Sequence, residues 1–365
     1  MLFIKTADLK VDMRLARPIY NKKGVLLFDR NTKLTKAGIE MVRNFGLLGI
    51  YILEPAEPLP PMSADDFEFE RFQTMGVFAI QEELESIRNE RRQIKLPNIT
   101  NMIVHAYGRQ DRKINFYQNL RSGEDYLYKH SLNVAILCAL IGHRLNLYAE
   151  EHLHVVSAAL VHDVGKMNLP MEIVCAADLD PEQQSLVDGT LSVTGDLIEY
   201  ALSNGMALKR ICFQADRIRK LINNTGNKNE NMKFVTGAKI LAVANRYDEL
   251  TGMSLNGTAR SEVMAIKELQ SLPQVYDPKV VTALVQSIKI LFPGVSVELN
   301  TGEKALVLVE NPQNILRPVV LSFRDNSIID LSIKENADVE IVDIMKTMDN
   351  RYIMDIEKLK ELGYY

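Results

Sequence analysis

The stretch Ala159–Pro170, ALVHDVGKMNLP, decides the reading of this chain. Its apolar lead-in has helical spacing, it ends on an adjacent His162-Asp163 pair, and Gly165 follows to let the helix stop. One helix upstream, YKHSLNVAILCALIG places His130 in line with Val134, Leu137 and Ile141, so the imidazole faces the core. Asp163 lines up with Val156 and Leu160 in the same way. Adjacent helical residues point about 100° apart, so His162 and Asp163 can flank a point between helices that His130 approaches from across. Two imidazoles and a carboxylate suit zinc, iron or manganese, and Lys166 can reach a phosphate. Together they can form the nucleus of a metal-dependent phosphohydrolase site. The plainer alternative is a pair of buried histidines that satisfy backbone groups, which a His-Asp dipeptide alone does not exclude.

Working outward, Asp66–Ile290 is dominated by helical periodicity. Phe72, Met75, Ala79, Leu84 and Ile87 mark one amphipathic helix, Ile99–Leu120 reads as a second long one, and Tyr126–Leu145 contains His130. Asp277-Pro278 supplies a cap and a first-turn proline for a helix running to Ile290. After Pro293-Gly294 the period switches to two: Val295, Val297 and Leu299 alternate, then Ala305, Val307 and Val309. Further strands are expected at Pro318–Phe323 and Ile328–Ile333, then a strand and a closing helix after Asn336.

At the other end, Met13–Tyr20 and Val25–Phe28 flank Asn21-Lys22-Lys23-Gly24, a hairpin signal. Thr35 is placed to cap a helix through Asn44, Gly46 lies just past its end, and a strand follows at Ile50–Leu53. Four prolines in EPAEPLPPMSADD favour an extended spacer. The expected organisation is a small α/β module over 1–54, a proline-rich linker over 55–66, a helical domain over 67–290 and a β-rich extension with its tail over 291–365. The fold class is mainly α.

Composition narrows the function. The chain has 365 residues, 47% hydrophobic and 25% charged, as a globular protein does, and a net charge of −4 gives no reason to expect nucleic-acid or membrane-surface binding. Cys138, Cys175 and Cys212 form no CxxC pair and read as reduced cysteines. The start lacks the long apolar core of a signal peptide, and no stretch approaches the ~20 apolar residues of a membrane helix. A cytoplasmic protein is the expectation. His105, His143, His152 and His154 read as surface histidines, and the fifteen methionines as core filling.

The wider strings LRSGEDYLYKHSLNVAILCALIGHRLNL, AALVHDVGKMNLP, AKILAVANRYDELT and PGVSVELNTGEKALVLVENP with a later RPVV resemble the HD-GYP family, a branch of the HD phosphohydrolase superfamily. The likeness runs in consistent order over roughly residues 100–335. It implies an HD-type helical bundle core, beside which the alternation above places a C-terminal β-hairpin extension, and it implies a di- or trinuclear iron or manganese centre and hydrolysis of cyclic di-GMP. His130, His162, Asp163 and Lys166 fall on the family's first histidine, its His-Asp pair and its phosphate-contacting lysine.

The same resemblance marks losses. The family's His-Pro-x-x-Gly is matched by Leu191-Ser192-Val193-Thr194-Gly195, and its His-His-Glu by Gln214-Ala215-Asp216. Arg219–Asn229 replaces the Gly-Tyr-Pro loop, GMSLNGTAR lacks the usual Arg-Pro-Tyr, and the closing aspartate of the VADxxDALT string is Asn245. Leucine donates no lone pair, so the ligands of a second metal are missing and a hydroxide between two metals has no support. Asn245 shares a helical face with Leu241 and Asp248 and points inward; its amide oxygen is a weak ligand without the anionic charge.

Three readings follow. A degenerate HD-GYP-like protein would have a regulatory or partner-binding role in bacterial signalling and impaired or no catalysis. A reduced enzyme would hold one divalent ion (Fe, Mn or Zn) on His130, His162, Asp163 and Asn245 or Asp216, with Asp163 catalytic and Lys166 on the substrate phosphate. A sensor would bind cyclic di-GMP or another nucleotide without cleaving it. The N-terminal module suits docking of a signalling protein or homodimer formation.

Overall fold

The computed structural model describes residues 2–45, 49–53, 62–90, 95–118, 125–174, 176, 179–224, 233–252 and 259–344. The chain falls into two compact units, Met1–Met75 with Leu291–Tyr365, and Gly76–Ile290.

In the first unit, β1 (Leu2–Lys5), β2 (Arg14–Leu15), β3 (Ile19–Tyr20), β4 (Leu26–Phe28), α1 (Lys36–Asn44) and β5 (Gly49–Leu53) form the N-terminal module. β5 lies between β1 and β2 in an antiparallel sheet, and β3 pairs with β4 as a separate hairpin. The hairpin forms where the sequence marks it: Asn21 Oδ1 accepts from the amides of Lys23 and Val25, and Gly24 takes φ +73°. Met13–Tyr20 is not one strand, because β2 and β3 serve different sheets. Thr35 caps α1 by accepting from Gly38 N at 3.0 Å. Leu15, Leu34, Val42, Ile50 and Ile52 fill the module's core. Gly46 and most of the proline-rich stretch lie outside the described residues. The next helix, α2 (Ala64–Arg88), begins inside the span expected to be a spacer, where Ser63 and Asp66 bond reciprocally across its first turn.

The second unit is helical. It comprises the rest of α2, α3 (Leu96–Tyr107), α4 (Tyr126–Arg144), α5 (Ala149–Val161), α6 (Met171–Val174), α7 (Pro181–Ala201), α8 (Gly205–Lys220), α9 (Thr236–Thr251), α10 (Glu262–Ser271) and α11 (Pro278–Ser287). α4 is the hub, buried from His130 through Gly142 and packed against α3, α5, α9 and α11. This explains its uninterrupted apolar run, since a helix enclosed on all sides has no polar face to display.

The helix expected over Ile99–Leu120 stops at Tyr107 instead. A Cβ on Gly108 would lie 2.7 Å from the ring of His152 and from the Val104 carbonyl, so glycine permits the close approach that ends the helix. The chain beyond leaves the helix, and Ile114 bridges Ile288 through Ile114 N to Ser287 O (3.0 Å) and Lys289 N to Ile114 O (2.8 Å). That bridge also ends α11 at Ser287, short of the expected Ile290. His152 is not a surface residue: it is 6% exposed, and its Nε2 lies 2.8 Å from the Ala139 carbonyl on α4. Cys138 and Cys212 are buried free thiols whose pKa values burial pushes up; Cys175 lies outside the described residues.

Returning to the first unit, β6 (Ser296–Leu299), β7 (Lys304–Val309), β8 (Val319–Ser322), β9 (Ile328–Asp330) and β10 (Ile341–Ile344) form an antiparallel sheet in the order β10-β6-β7-β8-β9. β6 and β7 form the hairpin that the alternation marked, and the further strands expected after it complete the sheet. β10 carries a register break between Ile341 and Asp343. The expected closing helix lies outside the described residues. Among the described residues no helix is long and apolar enough to cross a membrane.

Candidate metal and phosphate site

Three elements bring the predicted residues together. His130 projects from the first turns of α4, His162 caps the C-terminus of α5, and Asn245 sits in the middle of α9. α5 ends at Val161, so Asp163 is presented by a turn with φ −111° and not by the helix face that its spacing suggested. A short 3-10 segment, Val164–Asn168, follows and carries Lys166. Gly165 does more than release the helix. A Cβ there would lie 2.3 Å from the Thr190 carbonyl and 2.6 Å from Thr194 Oγ1, and Gly165 N donates to Thr194 Oγ1 at 3.0 Å. Glycine therefore lets the HDVGK turn seat directly on α7.

His130 Nδ1 lies 2.6 Å from Asp248 Oδ2, and His162 Nδ1 lies 2.8 Å from the Ala159 carbonyl. A carboxylate and a carbonyl only accept, so each ring carries its proton on Nδ1 and turns the lone pair of Nε2 into the site. Those two Nε2 atoms are 3.2 Å apart. Asp163 adds Oδ2 at 3.6 Å from His130 Nε2 and Oδ1 at 3.7 Å from His162 Nε2. Asn245 Nδ2 donates to Glu249 Oε1 at 2.9 Å, which fixes the amide so that Oδ1 faces His162 Nε2 at 3.0 Å. Two acceptors thus meet with no hydrogen between them.

Facing lone pairs repel unless a cation lies among them. Donors bound at about 2.0–2.2 Å sit roughly 3 to 3.5 Å from their neighbours around a single ion, close to the spacing found. His130, His162 and Asp163 are the group of His, Cys, Asp and Glu among the described residues whose ligand atoms converge within 4.8 Å. The donor set fits one divalent ion, with Asn245 as a neutral fourth oxygen.

Electrostatics match. Burial, aided by His130 and Lys166 and opposed by Asp163, lowers the pKa of His162 and keeps the imidazole neutral, as a ligand must be. Burial alone would raise the Asp163 carboxyl, but His162, Lys166 and His130 outweigh it and hold it well below the usual carboxylate range. Lys166 Nζ donates to Asp163 Oδ2 at 2.7 Å, so the lysine rests on the carboxylate beside the site.

Several contributors were not predicted from the sequence. Asp248, wholly buried, orients His130 and is itself held by Gln118 Nε2 at 2.9 Å; Gln118 in turn accepts from Asn133 Nδ2 at 2.8 Å. The helical face shared with Asn245 was the available signal for Asp248. Glu249 orients Asn245, as above. Gln118 and Glu249 had no signal, because their roles depend on packing between separate helices.

A pocket opens beside the ion site within the helical unit. Leu191, Ala215 and Asp216 line it together with His162, Asp163 and Lys166. Gln214 instead accepts from Val235 N at 2.8 Å. Asp216, considered as a possible ligand, is ion-paired with Arg219 (2.8 Å) and Lys220 (3.0 Å). His143 pairs with Asp111 at 2.8 Å, and His105 is exposed.

Residues 115–280 match the HD domain family. The chain is 24% identical over 206 residues to the cyclic di-GMP phosphodiesterase PA4108 of Pseudomonas aeruginosa, a match covering 56% of this chain and 49% of that protein. This chain thus spans about half the length of that relative. A solved structure, Bd1817, an HDG"Y"P protein from Bdellovibrio bacteriovorus, aligns with a TM-score of 0.44 at 14% identity, over 78% of this chain and 97% of that one. The HD-domain match over residues 115–280 and the curated relative together support a member of the HD superfamily, to which the HD-GYP proteins belong.

Proposed function

We propose that this chain is an HD-GYP-type protein that keeps one divalent-ion site, lacks the second, and works in bacterial cyclic di-GMP signalling as a regulatory binding protein with impaired or no hydrolysis. One observation carries the reading. Ligand atoms of His130, His162 and Asp163 converge, with Asn245 Oδ1 3.0 Å from His162 Nε2, while Leu191 and Ala215, which the family resemblance matches to histidines, line the adjoining pocket.

The ion, when bound, supplies positive charge and Lewis acidity at the pocket floor. Asp248 and the Ala159 carbonyl hold the two imidazoles in the ligating tautomer. Lys166 leaves or shares Asp163 to meet a phosphate oxygen. Cyclic di-GMP is the ligand to try first, because a relative acts on it. A homodimer and a signalling-protein partner in the cytoplasm belong to the same proposal and rest on the N-terminal module.

Metal counted after anaerobic purification and again after reconstitution with iron, manganese or zinc tests the reading, together with cyclic di-GMP turnover. One ion per chain, lost in His130→Ala, with no turnover, is expected. Turnover in the unaltered chain at rates ordinary for enzymes would overturn it. Activity should need Leu191→His, Asn245→Asp and restoration of the His-His pair together.

A second reading, a single-ion phosphohydrolase, is favoured by the intact pairing of Asp163 with Lys166. There Asp163 would take part in catalysis and Lys166 would hold the substrate phosphate. It requires metal-dependent hydrolysis of a phosphomonoester or phosphodiester that vanishes in His162→Ala.

A further inference from the structure

The C-terminal sheet carries apolar side chains on both of its faces. An antiparallel sheet with one buried face ordinarily sets polar residues on the other. Ala305, Val307 and Val320 lie fully buried on the inner face. Residues paired across a ladder share a face, and on the opposite one Leu306, Leu321 and Ile328 pair in a single row. Val309 pairs with Val319 in the next row, and Phe323 follows Leu321 by two residues. Val309 is 56% exposed, Phe323 49% and Ile328 60%, while Leu306, Val319 and Leu321 are half-buried. Lys304 and Asp330 stand at the rim. Scattered exposed apolar residues need no explanation, but a contiguous patch across three strands marks a docking surface.

The patch has the footprint of one helix. Three strands about 4.8 Å apart and five residues at about 3.4 Å each give roughly 14 Å by 17 Å. A stable pairing of two chains covers about 800 Å² on each, about three times that footprint, whereas a helix is about 10–12 Å across. The course of the chain points to the occupant. β10 ends at Ile344, which pairs with Val297; Val297 pairs with Ala305, and Ala305 with Ser322. The next row of that ladder is Leu306, Leu321 and Ile328, so the chain leaves β10 level with the patch. Beyond it, outside the described residues, Met345, Met348, Tyr352, Ile356 and Leu359 recur at steps of three, four, four and three. On a helix, Asn350, Arg351, Glu357, Lys358 and Glu361 would fall opposite that stripe. Residues 345–362 would make about 27 Å of helix, and the four strand spacings from β10 to β9 measure about 19 Å, so the segment reaches the patch.

We propose that the open face of this sheet is a docking surface for one amphipathic helix, and that residues 345–362 of the same chain are the helix it takes. Burial of Val309, Phe323 and Ile328 against the apolar stripe drives the docking, and the polar residues opposite the stripe stay in water. The inference is independent of the ion site and of any catalysis.

The test places the photo-reactive residue p-benzoylphenylalanine at position 323 of the full chain, irradiates a mixture of isotopically light and heavy copies, and maps the cross-links by mass spectrometry. Links to residues 345–362 within one copy are expected, and they should be lost in Ile328→Glu and in Leu359→Glu. Links that fall elsewhere on the chain, that join a light copy to a heavy one, or that do not form at all would overturn the proposal. Should the photo-probe disturb the sheet, a chain ending at Ile344 serves in its place, because it keeps β10 whole. Its binding of a dye that reports exposed apolar surface should exceed that of the full chain, and should fall again when a synthetic peptide of residues 345–365 is added. Dye binding equal to that of the full chain, or unmoved by the peptide, would overturn the proposal as well.

Discussion

On the one-ion reading, Asn245 is the residue on which metal affinity turns. Its side chain supplies an oxygen at the right place, held there by Glu249, but without the negative charge that a divalent ion prefers. Asn245→Asp should tighten manganese binding about 10-fold or more, a change of the size that adjustments around metal ligands produce. Competition against a fluorescent chelator would measure it, and an unaltered affinity would mean Asn245 lies outside the coordination sphere. The converging side chains were legible from sequence because the chain holds only six histidines, and His130 and the His162-Asp163 pair sit in apolar helical runs that turn them inward. His130, His162 and Asp163 meet where the pattern put them. His152 shows the opposite case. It read as a surface residue with no ligand-like partner, yet gaps left by Gly108, just past α3, and Gly142 on α4 admit its ring to the interior. Nothing within α5 announces a cavity made by glycines elsewhere.

Among the elements, α7 offers a matched pair of substitutions. Gly165 faces it at a distance no side chain tolerates. An added methyl would sit 2.3 Å from the Thr190 carbonyl and 3.0 Å from the Thr194 amide, and backbone cannot swing aside. Gly165→Ala should cost about 1–3 kcal/mol or more. Gly189, exposed in the interior of α7, has nothing within 4 Å of the same point, so Gly189→Ala should stabilise by roughly 0.5–1 kcal/mol through helix propensity. Urea midpoints would read both, and shifts of the same sign would contradict the packing described. Helix ends were legible where a capping side chain marks them, as at Thr35 and Asp277. They were not legible where another segment imposes them, as with the Ile114–Ile288 bridge at the end of α11 and the His152 ring against Gly108 at the end of α3.

For the whole molecule, acidity is the lever to test. Burial depresses the pKa of His152, and that of His162 moves the same way. Between that lowered value and the unfolded value near ~6.5, the unfolded chain binds more protons than the folded one, so stability rises with pH. Their contribution is complete above about pH 6.5 and is lost as the pH falls below it. The melting temperature should therefore drop on acidification from neutrality, and the slope remaining in His162→Gln belongs to His152. A flat profile in that variant would contradict the burial of His152. The C-terminal sheet yields a second prediction: ending the chain at Glu340 removes β10, exposes β6 as a new edge, and should cause self-association measurable by light scattering. An unaltered monomer-to-aggregate ratio would count against β10 as the cover of that edge. The intact sheet is guarded at both sides, by a three-residue β9 and by a β10 whose pairing breaks beside Asp343. During synthesis, however, the guard on β6 arrives late. Ile341 follows Leu299 by 42 residues (341 − 299), which at about 5–20 residues per second leaves β6 uncovered for roughly 2–8 seconds. Each newly made chain thus passes through an interval in which a neighbour on the same polysome can take the place of its own last strand.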